Sequence, residues 1–284
     1  MPSETSRKIL QRLEEWKQKD GQLPDIVDLY CRLLRLQAEV EQHTLAPKPT
    51  LTKDAINDRL GQGTPLLTFE SLSPDSRLLQ GLFQRIADTI VEHSAVLPTD
   101  AKNLRRVASS NSLLQEVVKA WYDGTPLPEA EPGASQTLLI ATTQATLHPF
   151  LILQAEALMP LVNQESWRRG YCPICGGKPD IAWLTKETGA RWLLCSRCDA
   201  QWLFQRLECP YCGTQNQDAL AYFTDSDGLY RLYVCEECRS YIKAIDLRRT
   251  ESEILLPLER VLTLDLDRQG YEAGYKAGWT VIAP

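Results

Sequence analysis

Cys172-Pro-Ile-Cys175, Arg191-Trp-Leu-Leu-Cys195-Ser-Arg-Cys198, Cys209-Pro-Tyr-Cys212 and Arg231-Leu-Tyr-Val-Cys235-Glu-Glu-Cys238 carry eight of the nine cysteines of this 284-residue chain. A Cys-x-x-Cys turn presents two thiolates to one ion, and two such turns close a tetrahedral site. Four turns therefore make two sites and use every cysteine of the region. The order repeats: Cys-Pro-x-Cys-Gly at 172–176 and again at 209–213, followed after 14 and 17 residues by Arg-x-x-x-Cys-x-x-Cys. Both copies continue into apolar runs, Gln201-Trp202-Leu203-Phe204 and Ser240-Tyr241-Ile242.

The duplication predicts sequential grouping. Site one takes Cys172, Cys175, Cys195 and Cys198; site two takes Cys209, Cys212, Cys235 and Cys238. A cross-braced pairing of the first turn with the third accounts less well for the repeat. Four sulfur donors in a tetrahedron suit zinc and iron alike. Modules of this size cannot fold on apolar burial alone. A structural zinc supplies roughly 10–16 kcal/mol to such units.

Rival chemistries fit less well. Cys209-Pro210-Tyr211-Cys212 has the sequence of a glutaredoxin-type redox pair, but Gly213 follows it, no βαβ pattern surrounds it and a second pair lies downstream. Four thiolates close the coordination shell and leave no position for a catalytic water. No His-x-Glu precedes a cysteine pair, as a deaminase requires. The three histidines, His43, His93 and His148, read as helix-end or core residues. There is no phosphate loop, serine elbow or dinucleotide fingerprint. The residues point to a binding protein and not an enzyme.

Outside the cysteine region the chain reads as helical up to residue 165. Ser3 caps a first helix carrying Ile9, Leu13 and Trp16, and Asp25 opens a second. Pro47 and Pro49 break the chain, as do Gly61, Gly63 and Pro65. Ser73-Pro74 predicts the start of a strong amphipathic helix through Leu78, Leu82, Phe83, Ile86 and Ile90. Another runs around Leu113–Tyr122 and stops at Gly124. A long apolar helix starts near Ser135, is interrupted near Pro149 and ends near Pro160. It holds too many threonines and glutamines for a membrane span and reads as a core helix. In the tail, Leu258–Leu266 predicts a helix that Gly270, Gly274 and Gly278 weaken beyond that point. Cys31 lies on a predicted helix as a buried structural thiol.

The expected class is multidomain α+β. An all-α helical domain at 1–165 precedes two small rubredoxin-like or zinc-ribbon modules at 166–206 and 207–250, and a tail at 251–284 packs on them. The polar N-terminus lacks a signal-peptide core, and nine cysteines without export fit a reducing cytoplasm. The formal charge of -6, made more negative by tetrathiolate sites, makes a nucleic-acid partner unfavourable. The arginines around the ribbons keep a zinc-ribbon nucleic-acid binder as an alternative.

The cysteine region resembles the FdhE-type formate dehydrogenase accessory proteins. The resemblance rests on Trp167-Arg-Arg-Gly-Tyr-Cys172-Pro-Ile-Cys-Gly-Gly-Lys-Pro179, Cys195-Ser-Arg-Cys-Asp-Ala-Gln-Trp202, Cys209-Pro-Tyr-Cys-Gly213 and Cys235-Glu-Glu-Cys-Arg-Ser-Tyr-Ile-Lys243. Leu264-Asp-Leu-Asp267 through Gly270-Tyr271 also matches; Gly63-Thr-Pro-Leu-Leu67 and Pro149-Phe-Leu151 match more weakly. The likeness is good from about residue 147 to 275 and loose before that. It implies a cytoplasmic maturation factor whose eight cysteines hold two metal ions, zinc or iron. It also implies a partner: the molybdenum- or tungsten-bearing catalytic subunit of formate dehydrogenase. It leaves open a homodimer, and a rubredoxin-like redox or thiol-exchange role as the alternative function.

Overall fold

The structure is a computed structural model that describes residues 3–44 and 51–279; the break expected at Pro47 and Pro49 lies outside them. The described chain falls into two compact units. One takes residues 3–44 and 68–153, the other 51–67 and 154–279.

The first unit is helical: α1 (Glu4–Asp20), α2 (Asp25–His43), α4 (Phe69–Leu72), α5 (Ser76–His93), α6 (Pro98–Ser109), α7 (Asn111–Asp123) and most of α8 (Gln136–Leu158). Its core is made by the apolar stripes expected from the sequence, with Leu13, Leu79, Phe83, Ile86 and Val117 fully buried. Ser3 caps α1 by accepting from the Ser6 amide. The start of α5 differs from the expectation. Ser73 takes a left-handed conformation, and Asp75 is the cap, accepting from the amides of Arg77 and Leu78. A carboxylate that takes two amide donors at once outcompetes the earlier serine.

Helix α8 also departs from the expectation, because it runs straight through Pro149. Proline has no N–H to give the carbonyl four residues back, which is that of Ala145. Buried Gln37 of α2 supplies the missing donor, its Nε2 lying 2.7 Å from the Ala145 oxygen. Thr142, Thr143 and Thr146, all buried, return their hydroxyls to carbonyls of the preceding turn. By length and composition the helix could cross a membrane, but 61% of its apolar window is covered by the rest of the chain.

The second unit holds α3 (Lys53–Gly61), strands β1 (Pro179–Leu184), β2 (Arg191–Cys195), β3 (Gln201–Phe204), β4 (Leu220–Thr224), β5 (Tyr230–Cys235), β6 (Ser240–Asp246) and β7 (Lys276–Ala277), and helices α9 (Leu256–Leu262) and α10 (Leu264–Glu272). Each cysteine repeat builds a three-stranded antiparallel ribbon, β1–β3 in the first and β4–β6 in the second. The two ribbons merge into one sheet of order β3-β2-β1-β6-β5-β4, because β1 pairs in parallel with β6. The repeats are thus joined head to tail: the first strand of one copy receives the last strand of the other. β7 adds in parallel to the start of β6, at Ser240 and Tyr241.

The tail is helical further than expected. α10 continues across Gly270, whose missing side chain lets the Tyr241 ring lie where a Cβ would be, at 2.7 Å. Close packing offsets the helical cost of glycine here. The α+β class, with helices first and two cysteine modules after, is the class the structure shows.

Candidate metal centres

All four turns share one local geometry. In the first, the Gly176 amide donates to the Cys172 carbonyl at 3.0 Å and the Cys172 amide donates to the Gly177 carbonyl at 2.8 Å. The third repeats this, with Gly213 to Cys209 at 2.9 Å and Cys209 to Thr214 at 2.9 Å. The residue four places after the leading cysteine has a positive φ in every turn: Gly176 at 72°, Asp199 at 57°, Gly213 at 77° and Arg239 at 53°. Glycine adopts that conformation freely, while other L-residues pay about 1–2 kcal/mol.

The two non-glycine positions are tethered. Asp199 is held by Arg260 of α9 at 2.6 Å. Arg239 is ion-paired to Glu236 and stacks on Tyr275 with its guanidinium 4.2 Å from the ring centre. Arg260 does more: it also grips Asp180 of β1 at 2.5 and 3.2 Å and donates to the Cys195 carbonyl at 2.6 Å. One half-buried guanidinium therefore ties helix α9 to the backbone of the second turn.

These turns bring together all eight cysteines expected from the repeat, in sequential and not cross-braced order. Cys172, Cys175, Cys195 and Cys198 form one cluster, and Cys209, Cys212, Cys235 and Cys238 the other; within each, the sulfur atoms lie within 4.8 Å of one another. Sulfur atoms approach to 3.5, 3.5 and 3.6 Å in the first cluster and to 3.7 Å twice in the second. With metal–sulfur bonds of about 2.3 Å, a tetrahedron sets its sulfurs about 3.8 Å apart, so the donor set has nearly the size a bound ion needs. Backbone amides point at sulfur as well, Ile174 to Cys172 at 3.3 Å and Arg197 to Cys195 at 3.4 Å.

The thiol chemistry agrees with that fit. Burial pushes Cys172 and Cys198 well above the ordinary thiol range, while hydrogen bonds from Cys172, Cys195 and Cys198 pull Cys175 well below it. In the second cluster burial raises Cys209 and Cys235. Burial works the same way on Cys238, but hydrogen bonds from Ser240 outweigh it and lower that thiol. A lone cluster can thus carry few thiolates, and four together require a divalent cation among them. Cys209, raised and placed on no helix N-terminus, has the opposite character to a catalytic dithiol. Among the described residues no histidine joins either cluster.

The clusters differ in exposure. All four cysteines of the first are buried, whereas in the second Cys212 is exposed and Cys238 half-buried. Cys31 stands apart, buried on α2.

The surroundings knit the first module to its neighbours. The amides of Leu66 and Leu67 pair with the carbonyls of Pro173 and Ile174, and the Tyr171 hydroxyl donates to the Gly63 carbonyl. The Gly63–Leu67 segment therefore braces the first turn. Gly170 lies so close to Pro210 of the third turn that a Cβ would sit 1.9 Å from its carbonyl oxygen. The Tyr211 hydroxyl donates to the Pro179 carbonyl at 2.9 Å. Gly170, Asp199 and Arg260 carry no signal in the one-dimensional pattern; their roles come from contacts distant in sequence.

Residues 171–206 match the family model described as FdhE, central domain. The chain is 27% identical over 270 residues to the protein FdhE homolog of Aquifex aeolicus, covering 94% of this chain and 90% of that one. It is 26% identical over 263 residues to the homolog of Pseudomonas aeruginosa, covering 88% and 81%. The crystal structure of the FdhE protein from Pseudomonas aeruginosa shares the fold with a TM-score of 0.62 at 20% identity, over 98% of this chain and 93% of that one. Family model, curated relatives and fold agree with the resemblance read from the sequence: the chain is similar to FdhE proteins over nearly its whole length.

Proposed function

We propose that this chain is an accessory protein for formate dehydrogenase. It binds the catalytic subunit of that enzyme in the cytoplasm and assists its maturation, without catalysing a reaction itself. The eight cysteines hold two metal ions, zinc or iron, that staple the ribbons into rigid docking modules. The observation that carries this reading is the pair of complete four-sulfur clusters inside a chain similar to FdhE proteins over nearly its whole length. A closed sulfur shell stabilises a fold and leaves no coordination position for a reacting water. The test is affinity capture of the tagged chain from cells making formate dehydrogenase. Recovery of the catalytic subunit, lost on replacing Cys172 and Cys175 by alanine, supports the reading. Capture that is unaffected by the replacement, or contains no formate dehydrogenase, refutes it.

A second reading, electron or thiol exchange with a metalloenzyme, is favoured by the exposed Cys212 and half-buried Cys238. It requires a reversible absorbance change when the metal-loaded protein is reduced, or a trapped mixed disulfide at Cys212. A colourless protein that forms no such adduct excludes it.

A further inference from the structure

Arg191 and Arg231 occupy equivalent places in the two cysteine repeats, each four residues before a cysteine. Both are buried, at 3% and 9% exposure, and both line one cavity of about 240 Å³ beside the second cluster. Their charges are not used alike. Arg231 is paired with Asp246 at 2.5 Å. Arg191 has no carboxylate partner among the described residues. It spends only Nη1, on the carbonyls of Glu208 at 2.9 Å and of Gln205 and Arg206 at 3.4 Å. The Nε of each arginine is buried without a hydrogen-bond partner. A buried donor left this way keeps its desolvation cost, so the guanidinium is short of acceptors.

Aromatic rings hold both forks in place. The Arg191 guanidinium lies 5.1 Å from the Tyr233 ring centre and 5.7 Å from that of Phe204, and Arg231 lies 5.0 Å from that of Tyr222. The rest of the wall is largely apolar, with Leu207, Leu220, Val234 and Ile242, and Leu207 and Tyr222 stand half exposed at its edge. Burial draws the Arg191 guanidinium below its ordinary range, against the opposing pull of Tyr233, Tyr211, Cys209 and Glu208.

The geometry points to a binding site for a single carboxylate carried on a small apolar body, received by the guanidinium of Arg191. The charge balance selects a monoanion. Arg231 shares Asp246 with Arg248, and the Glu208 carboxylate accepts from Gln215. Cys209 and Cys235 also line the cavity, and a metal-loaded tetrathiolate is itself negative. Beside that negative cluster a single carboxylate is repelled less than a phosphate dianion. The volume is below the ~300 Å³ of a drug-sized pocket, so the body is of side-chain size. A free organic acid and the C-terminus of a protein chain share this chemistry.

The test uses the full, metal-loaded chain with 4-fluorobenzoate observed by fluorine NMR. Parallel titrations use inorganic phosphate and a short peptide ending in leucine, as the free acid and as the amide. Fluorobenzoate or the peptide acid is expected to bind, and Arg191→Gln to weaken binding about tenfold or more with both metals retained. Preference for the peptide acid over its amide identifies a chain terminus as the source. Fluorobenzoate binding without peptide binding identifies a free acid. If Arg191→Gln loses metal, Leu207→Glu decides, since that side chain is 58% exposed and its added charge should weaken binding without unfolding the module. Binding unchanged in the decisive variant, no binding of any carboxylate, or phosphate binding as tight as the carboxylates overturns the proposal.

Discussion

Arg260 shows how much one side chain can hold. It joins Asp180, Asp199 and the Cys195 carbonyl, and Asp180 is only 5% exposed. Removing one partner of a buried ion pair leaves an uncompensated charge and costs about 3–5 kcal/mol. Arg260→Met should therefore lower the unfolding free energy by roughly that amount and loosen the first cluster more than the second. Thermal melts with metal analysis of the folded fraction check this; a variant as stable as the parent would mean that Asp180 finds another donor. Asp199 depends on the same contact, since a non-glycine residue at a positive φ persists only where its surroundings hold it.

The helices were the easier elements to read, because amphipathic stripes are local. Ile9 and Leu13 on α1 and Leu82, Phe83 and Ile86 on α5 face the core as expected. The reading failed at Pro149, where proline chemistry alone predicts an interruption and a side chain from α2 removes the need for one. Gln37→Leu should leave the Ala145 carbonyl buried without a donor, at a cost of about 1–3 kcal/mol. Pro149→Ala restores the backbone N–H and should recover much of that loss in the double variant. Denaturant unfolding of the four proteins in the cycle measures the coupling; additive losses would show that Gln37 does not compensate the proline. The strands carried a weaker signal. Trp192–Leu194 and Tyr230–Val234 were legible as strands, but the parallel join of β1 to β6 was not.

Across the whole molecule, the two clusters are chemically alike and differently protected. The fully buried first cluster should keep its ion when the protein is challenged with a chelator, while the second, with Cys212 exposed, should release its ion faster. Metal release followed with a chromogenic chelator should show two phases, and Cys212→Ser should abolish the faster one. A single phase for both ions would show that exposure does not control release. The repeat Cys-Pro-x-Cys-Gly followed by Arg-x-x-x-Cys-x-x-Cys made the grouping of the cysteines readable in one dimension. A knuckle turn is closed by hydrogen bonds between residues no more than five apart, so its shape is written locally. The unequal burial of the clusters, the fusion of two ribbons into one sheet, the grip of Arg260 on residues 61 and 80 positions away and the unpartnered Nε of Arg191 arise only on folding. Each depends on which distant groups come together to exclude water or to meet a charge, and no local spacing encodes that.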